Sequence, residues 1–319
     1  MSGAFAHLTL ANEVSEPRFL EALGFSSQTI SIVNEYLPFC QLGAVSPDLP
    51  YLAIPNGGQA GWSELMHYEK TGEIIKSAIP FIKKLNGKAK EKCIAWLLGY
   101  TAHVGMDLTI HPIIQLMVGE YKGHETEHRQ CEMNQDTHAW QRMNLGPQGL
   151  SAFLKPSIMQ CCKKGKEQEL DGDIHKLWLH MLKRVYGKRK SEPEPDMNSW
   201  FKGFVFVVNT CLQANHLCPA ARHVCVQDYG ATYPLPNETD QKFIQGLPIP
   251  DASGEASGEV KDYDDIFMIA KKNVASLWTS IILAVENGDA PLIGDYSLDT
   301  GLKIGEASKT QAFWPSNAT

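Results

Sequence analysis

The chain has 319 residues, 43% of them apolar and 20% charged, enough to bury a sizeable core in one large domain or two modest ones. Its 29 basic and 36 acidic residues leave a net charge of −7, which excludes a global positive field that would draw it to nucleic acid or an anionic bilayer. The eight cysteines lack the dense, regular spacing of a disulfide scaffold and read as reduced thiols.

The opening stretch, MSGAFAHLTLANEVSEPRF, has neither a basic start nor an uninterrupted apolar run, so no Sec signal is expected. The predicted location is the cytoplasm, or outside the cell as an effector exported by a route that needs no cleaved signal. Pro17 to Leu37 is predicted helical, with Phe19, Leu20, Leu23, Ile30, Ile32 and Val33 on its apolar face. Trp62 to Leu85 continues the helical pattern, with Gly72 and Pro80 as expected interruptions. Lys90 to Val118 is the longest periodic segment, with Ile94, Leu97, Leu98, Thr101, Gly105 and Leu108 tracking one side. Trp178 to Tyr186 follows as a helix, then the charged, Pro-containing Lys188 to Asp196 as a loop. Trp200 to Leu212 is a further helix and the most apolar stretch; it is short and carries Lys202, so no segment is expected to span a bilayer. Cys218 and Cys225 flank His223 without the tight C-x-x-C pair of a zinc knuckle. Leu247 to Asp262, rich in Gly, Ser and Asp, reads as a second loop, and Tyr263 to Ala284 as the last helix. Strand-like alternation is scarce. The reading is an all-α fold, one domain over residues 1–319 with a decorated C-terminal half.

Seven of the eleven histidines lie at or before position 138, and four of these form two ladders with acidic residues. The first is His103-x3-Asp107-x3-His111; the second is His124-x3-His128-x3-Glu132-x3-Asp136. Residues four apart stay on one side of a helix, about 6 Å apart along its axis, so two neighbours can grip one divalent ion and a third can reach a second. At this composition His-x3-acid-x3-His is expected roughly 0.04 times by chance. The second ladder alone reads equally as a solvated helix face. The first does not, because Ile94, Leu97, Leu98, Val104, Leu108, Ile110 and Ile113 surround it. A buried Asp107 costs several kcal/mol unless it is paired or holds a metal, so the first ladder is a metal site or a buried polar network.

With these ladders the sequence resembles the bacterial zinc-dependent phospholipases C, all-α enzymes with a three-zinc cluster, which share their helical zinc cluster with the S1/P1-type single-strand nucleases. The likeness runs over residues 1–140, with a weaker echo at Tyr296 to Gly301 (YSLDTG). It is carried by His7 in FAHLTLANEV, Asp48 in GAVSPDLPY, His67 in LMHYEKTG, then H-x3-D-x3-H and H-x3-E. The resemblance implies Asp48, His67, His103 and Asp107 on one zinc, and His111, His128 and Glu132 on a second. A third zinc would share Asp107 and add His7. The family's N-terminal Trp ligand has no counterpart, since the first tryptophan is Trp62; two zincs are expected and the third is left open. His124 and His138 match nothing in the pattern, and Asn134 and Asp136 read as orienting or structural partners.

The activity implied is zinc-assisted hydrolysis of the glycerol-side phosphodiester bond of a phosphatidylcholine-like lipid at a membrane surface. Asp48 would be both ligand and general base, and exposed apolar or aromatic side chains would meet the membrane. Two alternatives follow from the same residues: a single-strand nuclease or nucleotide phosphodiesterase, and a non-catalytic helical interaction protein stabilised by zinc.

Overall fold

The computed structural model describes residues 3–53, 58–145, 151–187, 192–211, 233–306 and 309–314. Helices dominate: α1 (Ala4–Val14), α2 (Pro17–Ala22), α3 (Ser27–Glu35), α4 (Leu37–Val45), α5 (Ala60–Tyr68), α6 (Thr71–Ile82), α7 (Gly87–Val118), α8 (Glu125–Trp140), α9 (Ser151–Gln160), α10 (Gly172–Tyr186), α11 (Met197–Cys211) and α12 (Tyr263–Asn287). Among the described residues the sheets are two antiparallel pairs, β1 (Cys162–Lys163) with β2 (Lys166–Leu170) and β3 (Leu247–Pro250) with β4 (Ala256–Lys261). The all-α reading holds.

The centre of the molecule is α7, 32 residues long and buried without interruption from Cys93 to Ile114. A helix apolar on every side must be wrapped by others, and α4, α12, α6, α10 and α1 all pack on it. Glycines set the closest approach. A Cβ at Gly99 would lie 1.9 Å from the Cys40 carbonyl oxygen, and one at Gly43 would lie 2.1 Å from that of Trp96, so α4 and α7 meet backbone to backbone. Two indoles pin the arrangement: Trp278 Nε1 donates to the Leu98 carbonyl at 2.8 Å, and Trp96 Nε1 to Ser46 Oγ at 3.0 Å. Buried unpaired N–H groups are costly, so each indole that finds an acceptor fixes its helix in register.

Several boundaries differ from the sequence reading. The predicted helix from Pro17 to Leu37 is broken at Gly24, which turns with φ +81°, and Ser26 restarts it by accepting the Thr29 N–H at 3.1 Å. The segment from Trp62 breaks at Lys70 (φ +51°), whereas Gly72 and Pro80 lie inside α6. Gly72 is small because the backbone of Gly294 presses on it, 2.3 Å from where a Cβ would be. Asp295 Oδ1 accepts the N–H groups of Gly72 and Glu73, both at 2.9 Å, so a carboxylate distant in sequence caps α6.

The expected loop at 247–262 is mostly the β3–β4 hairpin, whose turn is tied by Asp251 accepting from Ser253 and Glu255. Its Gly, Ser and Asp content marks the turn and hides the flanking strands. Of the predicted 188–196 loop, residues 188–191 lie outside the described residues, as do Cys218, His223 and Cys225. Leu212 lies outside the described residues, and among these Tyr263–Asn287, rather than the stretch from Trp200, is long and apolar enough to cross a membrane by length and composition. Its Ile266, Phe267, Val274 and Trp278 are buried in the core.

Candidate metal centre

The four-residue repeat on α7 puts His103, Asp107 and His111 on one stripe. Asp107 is fully buried and divides its oxygens: Oδ2 lies 3.1 Å from His103 Nε2, and Oδ1 lies 3.4 Å from His111 Nε2. Helix α1 brings His7, whose Nε2 is 3.2 Å from Asp107 Oδ1 and whose ring stacks on His103 at 4.1 Å between centroids. Helix α5 brings His67, with Nε2 3.3 Å from His103 Nε2 and 3.7 Å from Asp107 Oδ2. The short 3-10 turn after α4, Ser46–Leu52, supplies Asp48, whose Oδ1 is 3.3 Å from His67 Nε2 and 4.0 Å from His103 Nε2. Six of the eight residues picked out in the sequence thus converge from four elements. Two subsets, His7/His103/Asp107 and Asp48/His67/His103, each hold their donor atoms within 4.8 Å of one another.

The hydrogen bonds around this cluster decide what it can accept. His67 Nδ1 lies 2.7 Å from the Ser63 carbonyl, and His103 Nδ1 lies 3.0 Å from the Ala44 carbonyl. A carbonyl only accepts, so both Nδ1 atoms carry protons, and in the neutral rings both Nε2 lone pairs point inward. They face each other at 3.3 Å. Two lone pairs at that distance repel unless a proton or a cation lies between them. His7 is 1% exposed, its Nδ1 has no hydrogen-bond partner among the described residues, and its Nε2 and Asp48 Oδ1 meet only other atoms of the cluster, at 3.2 and 3.3 Å, without the geometry of a hydrogen bond. Buried polar atoms left without partners are rare. Imidazole nitrogens and carboxylate oxygens aimed at one another are a donor set that suits zinc, so the residues present fit the ion.

The charges point the same way. Burial pushes the Asp48 carboxyl up, but positive charge on the rings of His103, His67 and His7, the charge that a bound cation would bring in its place, outweighs it and lowers the carboxyl to about 2. Burial acts likewise on Asp107, and His111, His103 and His7 bring it well below the usual carboxylate range. Both groups are therefore anionic at neutral pH. They differ in access: the Asp48 side chain is 19% exposed and that of Asp107 is 0%.

The second ladder is placed differently. His128 Nε2 lies 2.7 Å from the Gly119 carbonyl, and burial lowers its pKa. Glu132 is buried on α8, 3.4 Å from Arg129 Nη1. Neither belongs to the two tight groups. Asp136 Oδ1 accepts the Ala6 N–H at 2.8 Å, and its Oδ2 accepts from Tyr233 at 2.9 Å, so it anchors the first turn of the helix that carries His7. Asn134 Oδ1 accepts the Asp240 N–H. His124 is exposed, with Nδ1 at 3.0 Å from the Glu120 carbonyl, and His138 pairs with Asp264 at 3.2 Å.

A family profile described as zinc-dependent phospholipase C matches residues 6–188, more than half of the chain and all eight residues above. The chain belongs to this family. No curated protein and no solved structure matches it. The family is one of zinc-dependent phosphodiester hydrolases.

Some residues at the centre had no individual signal in the sequence. The Ala44 and Ser63 carbonyls, which orient two histidines, are backbone groups with no side-chain signature. Asp299 reaches the site from the C-terminal segment, its Oδ1 3.5 Å from His111 Nδ1 and its Oδ2 accepting from the Tyr68 hydroxyl at 2.7 Å. The YSLDTG stretch was the one pointer to it. Tyr51, Tyr68 and Tyr121, exposed by 39%, 37% and 37%, lie near one another and near the carboxylates of Asp48 and Asp299. Tyr51 follows Asp48 in the same turn, Tyr68 adjoins His67, and the Tyr121 ring lies 5.3 Å from that of His128.

Proposed function

We propose that the chain is a phospholipase C that hydrolyses the glycerol-side phosphodiester bond of phosphatidylcholine-like lipids, releasing diacylglycerol and the phosphorylated head group. The observation that carries this reading is the inward-facing His67–His103 pair beside a partly exposed, ionised Asp48, within a chain of the phospholipase C family.

Asp107 suggests how the ions divide. One would sit on its Oδ2 side with Asp48, His67 and His103; a second would sit on its Oδ1 side, held by His7 and His111. His128 and Glu132, one turn apart on α8, would serve the outer edge of the centre. Zinc, when bound, supplies Lewis acidity that offsets phosphate charge and lowers the pKa of water.

The protein does the rest. The Asp48 carboxylate, anionic and with its side chain 19% exposed, accepts the proton of the attacking water, and no covalent enzyme intermediate is needed. The Ser63 and Ala44 carbonyls hold His67 and His103 in one tautomer through the reaction. Tyr51, Tyr68 and Tyr121 present amphipathic rings near Asp48 and Asp299, suited to the boundary between head groups and acyl chains. Those rings are also what favours the second reading, a single-strand nuclease, because bases stack on tyrosine; the net charge of −7 opposes it. A closed structural zinc site would leave no carboxylate open as Asp48 is.

The test is chelator-sensitive release of phosphate from phosphatidylcholine in the presence of added phosphatase, run beside a single-stranded DNA digest. Lipid turnover with intact DNA supports the phospholipase reading, and the reverse result selects the nuclease.

A further inference from the structure

Asp299 lies outside the matched family segment, 111 residues beyond its end at position 188. It nevertheless enters the metal centre, in a turn built to hold it there. The Gly301 N–H donates to the Ser297 carbonyl at 2.8 Å, and Gln311 Nε2 donates to the Thr300 carbonyl at 2.7 Å. Gly301 adopts φ +67°, and a Cβ there would lie 2.8 Å from Pro112, the residue after His111. The neighbouring Leu298 N–H donates to the carbonyl of His67 itself at 2.9 Å.

His111 stands between two carboxylates, with Nε2 facing Asp107 Oδ1 at 3.4 Å and Nδ1 facing Asp299 Oδ1 at 3.5 Å. A neutral histidine that ligates through one nitrogen carries its proton on the other. A carboxylate at Nδ1 selects that tautomer and raises the basicity of Nε2. The other oxygen of Asp299 is occupied by the Tyr68 hydroxyl at 2.7 Å, which fixes the carboxylate's rotation. Anchoring the segment does not require this carboxylate. Asp295 caps α6, the Tyr296 N–H bonds Thr71 Oγ1 at 2.8 Å, and Leu298 bonds His67.

We infer that Asp299 is a positioning residue of the metal centre, holding His111 as an Nε2 ligand with Tyr68 as its brace. The inference rests on the metal reading above. It gives the C-terminal segment a role that the matched segment alone does not contain: the helical centre is complete only when residues 297–301 have docked.

The test uses the full chain, stripped of metal and titrated with zinc against a chromophoric chelator, and also loaded with Co2+ for visible absorption. Asp299→Asn is expected to weaken the most loosely held ion by about 10–100-fold and to alter the Co2+ spectrum. Tyr68→Phe should do the same to a smaller, few-fold extent, and the double variant should not be additive. The melting temperature of the metal-free protein should hardly move in either variant. Zinc affinities and Co2+ spectra unchanged from wild type would overturn the inference while leaving the zinc centre standing. A fall in metal-free melting temperature with affinity intact would reduce Asp299 to a structural tie, which also overturns it. A wild-type chain that binds no zinc would remove the inference together with the metal reading.

Discussion

Asp107 gives one oxygen to His103 and His67 and the other to His7 and His111, so a single buried carboxylate organises four histidines. Removing a ring from this set unbalances the rest. His103→Ala is expected to lose zinc and at least about 100-fold in activity while the helical circular dichroism persists, because an outer partner alone is worth 10–100-fold. Unchanged activity would take His103 out of the centre. Asp48→Asn keeps the shape and removes the base, so turnover should fall by about 10²–10⁴, read as kcat at saturating lipid. His124→Ala should be close to neutral by the same assay, since that ring is exposed and outside both tight groups.

Asp136 is the residue whose charge state should show in stability. Burial, stronger than its bonds from Ala6 and Tyr233, raises its pKa to about 7 from an ordinary value of 3.8. A carboxyl with a raised folded pKa binds its proton more tightly when folded. Its contribution is therefore complete below about pH 4 and is lost as pH rises towards 7. Chemical denaturation of metal-free wild type, less that of Asp136→Asn, should show this decline over pH 4–7, on the order of a few kcal/mol in total. A difference that does not change with pH would mean that Asp136 is ionised throughout.

At the scale of elements, the ladder on α7 was legible because helical period and donor chemistry coincide every four residues. Its burial was legible too, since the intervening positions are apolar. The break at Lys70 was hidden because the cap of α6, Asp295, is distant in sequence; the break at Gly24 is local, a glycine turn with a Ser26 cap that the apolar periodicity across it masked. The β3–β4 hairpin was hidden for the opposite reason, its turn residues dominating a short stretch. The α4–α7 contact rests on glycines that read only as helix weakeners. Gly99→Ala would push a methyl group to 1.9 Å from the Cys40 carbonyl oxygen. It should destabilise the fold by roughly 1–3 kcal/mol or more, seen as a lower denaturation midpoint. Helix propensity alone predicts a gain of about 1 kcal/mol from the same change, so the sign decides which effect wins.

At the scale of the molecule, the centre draws on α1, the turn after α4, α5 and α7, with the partly exposed Asp48 side chain near three exposed tyrosines. The eight residues singled out lie within the first 132 positions, and the family match covers all of them. The return of the C-terminal segment was only faintly legible, in the YSLDTG stretch, because a lone aspartate in a turn has no periodic neighbour to single it out. The placement of His128 beside Gly119 was hidden, being set by how the α7–α8 connection closes.

The most direct measurement of the central claim is the zinc content of the purified chain by elemental analysis, before and after chelation and zinc re-addition. The account predicts two or three zinc ions per chain, lost on chelation and restored together with phospholipid hydrolysis. A chain that holds no zinc even after re-addition would contradict it.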